Sequence, residues 1–155
     1  MSLQSSGQAL ARFLADPARG GVYRLEAARA DALGPTQELD WCPLPTPSRW
    51  TREGLLDALA VSLAFPAHFG RNWDAAWDCL TELAWEPGQA RVLLVPTAPA
   101  DATAMVTFVE LMNDAGAHWA SRGQTLATLV VWQGPPPVWL EGVPRLPEAA
   151  TAMPP

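Results

Sequence analysis

The sequence predicts an α/β protein with three layers, in which helices pack against a small three-stranded parallel sheet. Three apolar segments have the composition of strands and support this prediction: residues 22–25, 91–95 and 125–132. The last two are apolar enough to be buried on both faces of a sheet. Segments with helical periodicity separate the three. This alternation favours parallel strands joined by right-handed crossovers.

The chain before the central helices carries weaker signals. A short amphipathic helix is predicted within residues 1–20, because Leu10 and Leu14 lie one turn apart and Pro17 ends the pattern. Residues 31–50 contain four prolines and two tryptophans with little periodicity. We interpret them as an irregular insertion at the surface.

Two helices with identifiable caps are predicted between the first and second strands. Thr51 caps the first helix, which carries a stripe of leucines. It ends just before Pro66, because proline disfavours helical geometry in the residue that precedes it. After a short loop, Asn72 caps a second helix over residues 73–84.

A third helix and a proline-rich tail complete the predicted organisation. The helix begins at Asp101 or Thr103 and includes Gly116, which lowers its intrinsic stability. Residues 133–155 contain seven prolines, which predicts an extended tail that is disordered at its end. We therefore expect one domain over residues 21–132, preceded by a helical extension and followed by this tail.

Composition narrows the classes of partner and of compartment. The 155 residues carry a formal net charge of −6, with ten arginines and no lysine. This acidic balance argues against direct nucleic-acid binding and permits a basic protein partner. Without a membrane-spanning run or a recognisable signal peptide, we expect a cytoplasmic protein that does not contact membranes. Cys42 and Cys79 are then expected to be reduced, with a disulfide between them as the open alternative.

Residues 65–81 carry the most unusual chemistry in the chain. On a helical projection, one side of the helix that begins at Trp73 is apolar, whereas Asp74, Asp78 and Thr81 share a second face. Like charges one turn apart repel each other, and no arginine lies at i±4 to relieve them. An ordinary solvated acidic face would explain this pattern. The aromatic and polar residues of the preceding loop favour a protein-binding surface instead.

The same stretch resembles the signature of the barstar family, whose members are intracellular inhibitors of bacterial ribonucleases. An ungapped pattern carries the resemblance: Phe65-Pro66-x-x-Phe69-Gly70-x-Asn72-x-Asp74-Ala75-x-Trp77-Asp78-Cys79-Leu80-Thr81. Weaker similarity extends over residues 21–132. The resemblance implies a barstar-like fold with three parallel strands and the function of an immunity protein or antitoxin. We further expect a monomer when free, with no cofactor and no metal.

The resemblance also implies how such a protein acts on a basic ribonuclease or related toxin. The loop and the following helix enter the enzyme's cleft, and acidic side chains occupy the places of RNA phosphates. Asp78 corresponds to the central carboxylate, which faces the enzyme's arginines and catalytic histidine, and Asp74 corresponds to the second carboxylate. The matching contact positions around them are Gly70, Asn72, Trp77 and Thr81.

Three partner-binding positions depart from the family pattern. His68 and Phe69 occupy two positions that are normally tyrosines, so two hydroxyl groups are missing. The third helix of the best-known inhibitor of the family supplies a further carboxylate, and the corresponding position here falls near His118. Asp114 and Glu110 lie one and two turns earlier. These departures bear on the identity of the partner more than on the fold.

Two other functions stay open. The same fold and acidic face could bind a non-ribonuclease toxin or a regulatory protein. Alternatively, Asp74 and Asp78 could serve a small hydrolase, with His68, His118 or Cys79 as a base, metal ligand or nucleophile. The histidines lack partners at metal-ligand spacing, and Cys79 lies beside apolar residues, so we favour a binding protein over an enzyme. No glycine-rich loop follows a strand, which argues against nucleotide binding.

Overall fold

Helices and strands alternate along the chain in the computed structural model, which describes residues 3–151. The regular elements are helix α1 (Leu3–Phe13), strand β1 (Gly21–Leu25), helix α2 (Ala27–Asp31), strand β2 (Leu39–Pro43), helices α3 (Arg52–Ser62) and α4 (Trp73–Thr81), strand β3 (Ala90–Val95), helix α5 (Ala104–Ala120), strand β4 (Leu126–Val131) and helix α6 (Val138–Glu141). None of the helices within the described residues has the length and hydropathy needed to cross a membrane.

The sheet contains four parallel strands in the order β1-β4-β3-β2, so it has one strand more than expected. The additional strand, β2, lies where the sequence predicts an irregular insertion, and that prediction is wrong for these residues. Leu39 is buried, and Arg91 on β3 donates a hydrogen bond from Nε to the Asp40 carboxylate at 2.8 Å. Pro43 ends an edge strand, where its missing N–H interrupts no ladder hydrogen bond.

Helices cover both faces of the sheet, which confirms the three-layer prediction. Helices α3, α4 and α5 lie on one face, and their buried side chains include Leu80 and Phe108. Helices α1 and α2 lie on the other face, where Leu10 is buried. Successive side chains of a strand point to opposite faces, so on β3 Val92 packs with α1 and α2 while Leu93 packs with α3 to α5.

The proline-rich segment packs against the rest of the protein as far as the structure describes it. Trp139 and Leu146 are buried. Backbone hydrogen bonds join this segment to β1, since Arg24 N–H donates to the Pro144 carbonyl at 2.9 Å and Leu146 N–H donates to the Arg24 carbonyl at 2.8 Å. The tail therefore covers the outer edge of β1. Its expected disorder concerns residues 152–155, which lie outside the described residues.

Arg29 of α2 also forms hydrogen bonds with the proline-rich segment. Its guanidinium donates to the carbonyls of Leu146 and Pro147, each at 2.9 Å, and to the Thr151 hydroxyl at 2.9 Å. The predicted N-terminal helix is confirmed as α1, which packs against the 3-10 turn Glu148–Ala150. The two ends of the described chain therefore meet on one face of the sheet.

Gly116 allows α5 to lie close to the sheet. A Cβ at this position would lie 2.7 Å from the backbone nitrogen of Gly21 and 2.9 Å from its Cα. One turn away, Asn113 Oδ1 accepts a hydrogen bond from the Val22 N–H at 3.0 Å. The glycine that weakens α5 as an isolated helix is thus required by the contact between α5 and β1.

We predict that Gly116→Ala lowers the free energy of unfolding by about 2 kcal/mol, although alanine favours a helix by about 1 kcal/mol over glycine. The added methyl group would overlap backbone atoms of β1, which cannot move aside as a flexible side chain can. Urea denaturation followed by tryptophan fluorescence measures the change.

Gly142→Ala is the matched control, because a Cβ built at Gly142 has nothing within 4 Å. It should change stability by less than about 0.5 kcal/mol. A stabilising effect of Gly116→Ala would show that helix propensity outweighs the contact with β1.

Candidate functional site

Helix α4 presents an acidic face to solvent because its opposite side is anchored in the core. Ala76 and Leu80 are completely buried, and Trp73 is half-buried against the same cluster. The predicted cap is confirmed, since Asn72 Oδ1 accepts a hydrogen bond from the Ala75 N–H at 2.7 Å. Local capping and burial together fix the direction of the exposed face.

The C-terminal end of α4 is earlier than predicted. The helix ends at Thr81, and Ala84, expected within the helix, is exposed beyond it. The Glu82 N–H donates to the Cys79 carbonyl at 3.2 Å, which tightens the last turn. Beyond the helix the chain turns toward β3, and the Trp85 indole N–H stabilises this turn by donating to the Gln89 carbonyl at 2.9 Å.

The loop before α4 has a fixed shape. Arg71 donates from Nε and Nη2 to the two carboxylate oxygens of Asp57 on α3, at 2.8 and 2.9 Å, and these bonds raise the pKa of its guanidinium. The backbone of Arg71 is left-handed, with a φ of 52°, which is uncommon for a residue with a side chain. The rings of Phe65 and Phe69 meet edge to face, with centroids 5.1 Å apart. The loop therefore enters α4 already ordered.

The predicted partner-binding residues differ in how far they reach into solvent. Five are exposed: His68, Gly70, Asn72, Asp74 and Asp78. Four are half-buried: Phe69, Trp77, Thr81 and His118. Because the ring of Phe69 packs on Phe65, the loop offers His68 as its more exposed ring. The loop and α4 bring eight of these nine residues together, and α5 supplies the ninth.

The two carboxylates of α4 are not neutralised by neighbouring side chains. Neither Asp74 nor Asp78 forms an ion pair within residues 3–151. Arg71, the arginine closest in sequence, is bound to Asp57 instead. Glu82 follows at the next i+4 position and is exposed, so the acidic stripe is longer than predicted. The four-residue spacing of Asp74, Asp78 and Glu82 is visible in the sequence and could have indicated this extension.

Helix α5 contacts the acidic helix through aromatic rings. The His118 ring lies edge to face against Trp77, with centroids 5.8 Å apart. Beside it, the indole N–H of the buried Trp119 donates to the Leu80 carbonyl at 2.9 Å. The Trp119 ring also meets Trp85 edge to face at 4.8 Å. These contacts join the C-terminal parts of α4 and α5.

One residue outside the predicted set lies at the same place. Arg122 follows α5 and donates from Nε to His118 Nε2 at 3.1 Å. Its spacing of four residues from His118 was visible in the sequence, but the direction of its side chain was not. The site therefore includes a cation that is bonded to the ring in contact with Trp77.

Cys79 has the surroundings of an unreactive thiol. Burial raises the pKa of its thiol, and the negative charges of Glu82 and Asp78 raise it further. A thiol with a raised pKa stays protonated at neutral pH and is a poor nucleophile. Cys42 and Cys79 are not joined by a disulfide.

The site has the form of an open surface. Among residues 3–151, no three histidine, cysteine, aspartate or glutamate side chains converge as metal ligands would. A cavity of about 380 Å³ lies between α1 and the loops before β3 and β4, where its lining includes Arg12, Glu38 and Gln124. None of the nine predicted residues lines this cavity.

Comparison with known proteins gives one family match. The family model described as Barstar (barnase inhibitor) matches residues 48–131, more than half of the chain. The matched range includes α3, α4, β3, α5 and β4, and with them all nine predicted site residues. No curated protein matches the sequence.

We predict that Trp119→Phe lowers the free energy of unfolding by about 1–3 kcal/mol, because it leaves the buried Leu80 carbonyl without its donor. Trp132→Phe is the matched control, since the Trp132 indole N–H donates to the exposed Pro135 carbonyl at 3.0 Å. The control should cost less than about 1 kcal/mol, because water can replace an exposed donor.

Both variants change the tryptophan content, so urea denaturation should be followed by far-ultraviolet circular dichroism. Equal losses in the two variants would mean that the contact between Trp119 and Leu80 contributes nothing specific to the junction of α4 and α5.

Proposed function

The chain belongs to the barstar family, and we propose that it inhibits a bacterial ribonuclease by placing α4 and its preceding loop in the enzyme's active-site cleft. One observation carries the proposal. Asp74 and Asp78 are exposed and form no ion pair among the described residues, on a helix whose opposite side is buried. Such carboxylates are available to cations supplied by another molecule.

Carboxylates on an ordered helix can replace RNA phosphates, because both present negatively charged oxygens to the same donors. Arginine binds either group with two parallel hydrogen bonds, and its planar fork rewards a fixed acceptor geometry. The cap at Asn72 and the ion pair between Arg71 and Asp57 hold the acceptors before the partner arrives. Little side-chain or loop entropy is then lost on binding.

We assign Asp78 to the centre of the contact and Asp74 to a second cation of the cleft. The surrounding contacts are those implied by the family pattern: His68, Phe69, Gly70, Asn72, Trp77, Thr81 and His118. In this assignment the protein is a binding protein without catalytic activity. Its action in the cell would be that of a cytoplasmic antitoxin or immunity protein that is monomeric when free.

The partner in this proposal is a basic protein. The formal net charge of −6 attracts a cationic enzyme over distances longer than a contact. Such attraction mainly raises the association rate, and it weakens as salt screens the charges. Direct binding of nucleic acid is not part of the proposal, since the same charge repels phosphate.

A non-ribonuclease toxin or regulatory protein is the second candidate partner. Two observations favour it. The ring of Phe69 packs on Phe65, and His118 contacts Trp77 near the position of the family's third-helix carboxylate. These differences change the polar contacts around the carboxylates while leaving the acidic stripe intact.

Titration of purified ribonucleases with the chain tests the proposal, using barnase and other guanyl-preferring bacterial enzymes. Stoichiometric loss of ribonuclease activity supports it. Tight binding to a toxin without nuclease activity, and to none of these enzymes, supports the second candidate. Intrinsic hydrolytic turnover that Asp74→Asn abolishes would identify a small hydrolase and overturn both.

We predict that Asp78→Ala weakens binding to the inhibited ribonuclease by about 2–5 kcal/mol, because it leaves a buried cation of the enzyme unpaired. Most of the change should be a faster dissociation rate, measured by surface plasmon resonance. Stability should be unchanged or a few tenths of a kcal/mol higher, because repulsion with Asp74 is relieved.

Asp31→Ala is the control for the loss of one negative charge. Asp31 is exposed at the end of α2, on the opposite face of the sheet. Its substitution should leave the dissociation rate unchanged. Wild-type affinity of Asp78→Ala would show that α4 is not the contact surface.

A further inference from the structure

A histidine and an arginine form a pair at the edge of the acidic face. The His118 ring contacts Trp77 of α4, and Arg122 donates from Nε to His118 Nε2 at 3.1 Å. His118 Nε2 is the acceptor in this hydrogen bond, and the Arg122 guanidinium carries a full positive charge.

Arg122 is exposed, yet it forms no ion pair within residues 3–151, although carboxylates line the neighbouring α4. Among the described residues, six of the ten arginines form ion pairs with carboxylates: Arg19, Arg29, Arg52, Arg71, Arg91 and Arg145. Arg122 donates to the His118 ring instead. This cation is therefore bonded to the ring that contacts Trp77 of the acidic helix.

The ring that holds Arg122 is itself fixed. His118 is placed between Trp77 and Trp119, whose centroids lie 5.8 and 5.1 Å from its own. The Ser121 hydroxyl donates to the His118 carbonyl at 2.6 Å, which orders the turn that leads to Arg122. A guanidinium bonded to such a ring loses less freedom on binding a partner than one that moves in solvent.

We propose that Arg122 determines specificity on the inhibitory surface by binding a carboxylate at the rim of the enzyme's cleft, while Asp74 and Asp78 bind cations inside it. This inference rests on the proposed ribonuclease inhibition. It defines the partner as a ribonuclease with a basic cleft and an acidic side chain beside it. Charges of both signs also fix the rotational register of the partner, which a purely acidic patch leaves open.

A series of substitutions at Arg122 tests the sign of the charge that the partner places opposite this residue. Wild type, Arg122→Ala and Arg122→Glu are compared for binding to a ribonuclease that wild type inhibits, with barnase first in the panel. A facing carboxylate predicts a dissociation constant about tenfold higher for alanine and about a hundredfold higher for glutamate. If the partner presents a cation there, Arg122→Glu should bind more tightly than wild type. If Arg122 faces solvent in the complex, the three dissociation constants should be equal. Either result overturns the inference.

Arg12→Glu is the matched control, because Arg12 is also exposed and lies on α1 at the opposite face of the sheet. It changes the net charge by the same amount as Arg122→Glu. A more acidic chain should associate with a basic enzyme equally fast or faster. Weaker binding of Arg122→Glu alone therefore cannot come from long-range attraction.

The same measurements separate failure of this inference from failure of the proposed function. If wild type inhibits none of the ribonucleases, the proposed function fails and the inference fails with it. If wild type inhibits while Arg122→Glu binds as tightly, only the inference fails. Thermal denaturation by circular dichroism confirms that each variant is folded at the assay temperature.

Discussion

A buried hydrogen bond from the Trp119 indole to the Leu80 carbonyl joins the two helices of the site. Helix α5 packs closely on the sheet because Gly116 lies against the backbone of Gly21, and Trp119 lies one turn further along the same helix. Helix α4 is then held from its buried side, at Leu80. The exposed carboxylates thus take their positions from packing inside the molecule rather than from contacts at its surface.

This construction separates stability from recognition. The repulsion between Asp74 and Asp78 costs only a few tenths of a kcal/mol, whereas burying a leucine such as Leu80 contributes roughly 1.5–3 kcal/mol. Burial in the core therefore outweighs the repulsion between the two carboxylates. The pairing of Arg71 with Asp57 serves the loop and leaves the stripe on α4 unneutralised. Arg122 donates to the His118 ring and likewise forms no ion pair with these carboxylates among the described residues.

Local signals predicted the central helices and the loop between them, because caps such as Asn72 and the buried stripe act within one element. Strand β2 was not predicted because the four prolines of residues 31–50 suggest a loop, and its pairing with β3 depends on contacts distant in sequence. Proline content likewise suggested an extended tail, since composition does not reveal that Trp139 is buried. The contact between His118 and Arg122 depends on side-chain directions, which spacing alone does not define.

Both edges of the sheet are occupied or blunted in the part of the chain that the structure describes. The tail bonds to the edge of β1 at Arg24. At the other edge, Pro43 lacks an N–H, and its carbonyl accepts a hydrogen bond from the Ser62 hydroxyl at 3.0 Å. Exposed strand edges invite other chains to add a strand, which is a common route to aggregation. This architecture therefore directs association to the side chains of its helices, where charge can select the partner.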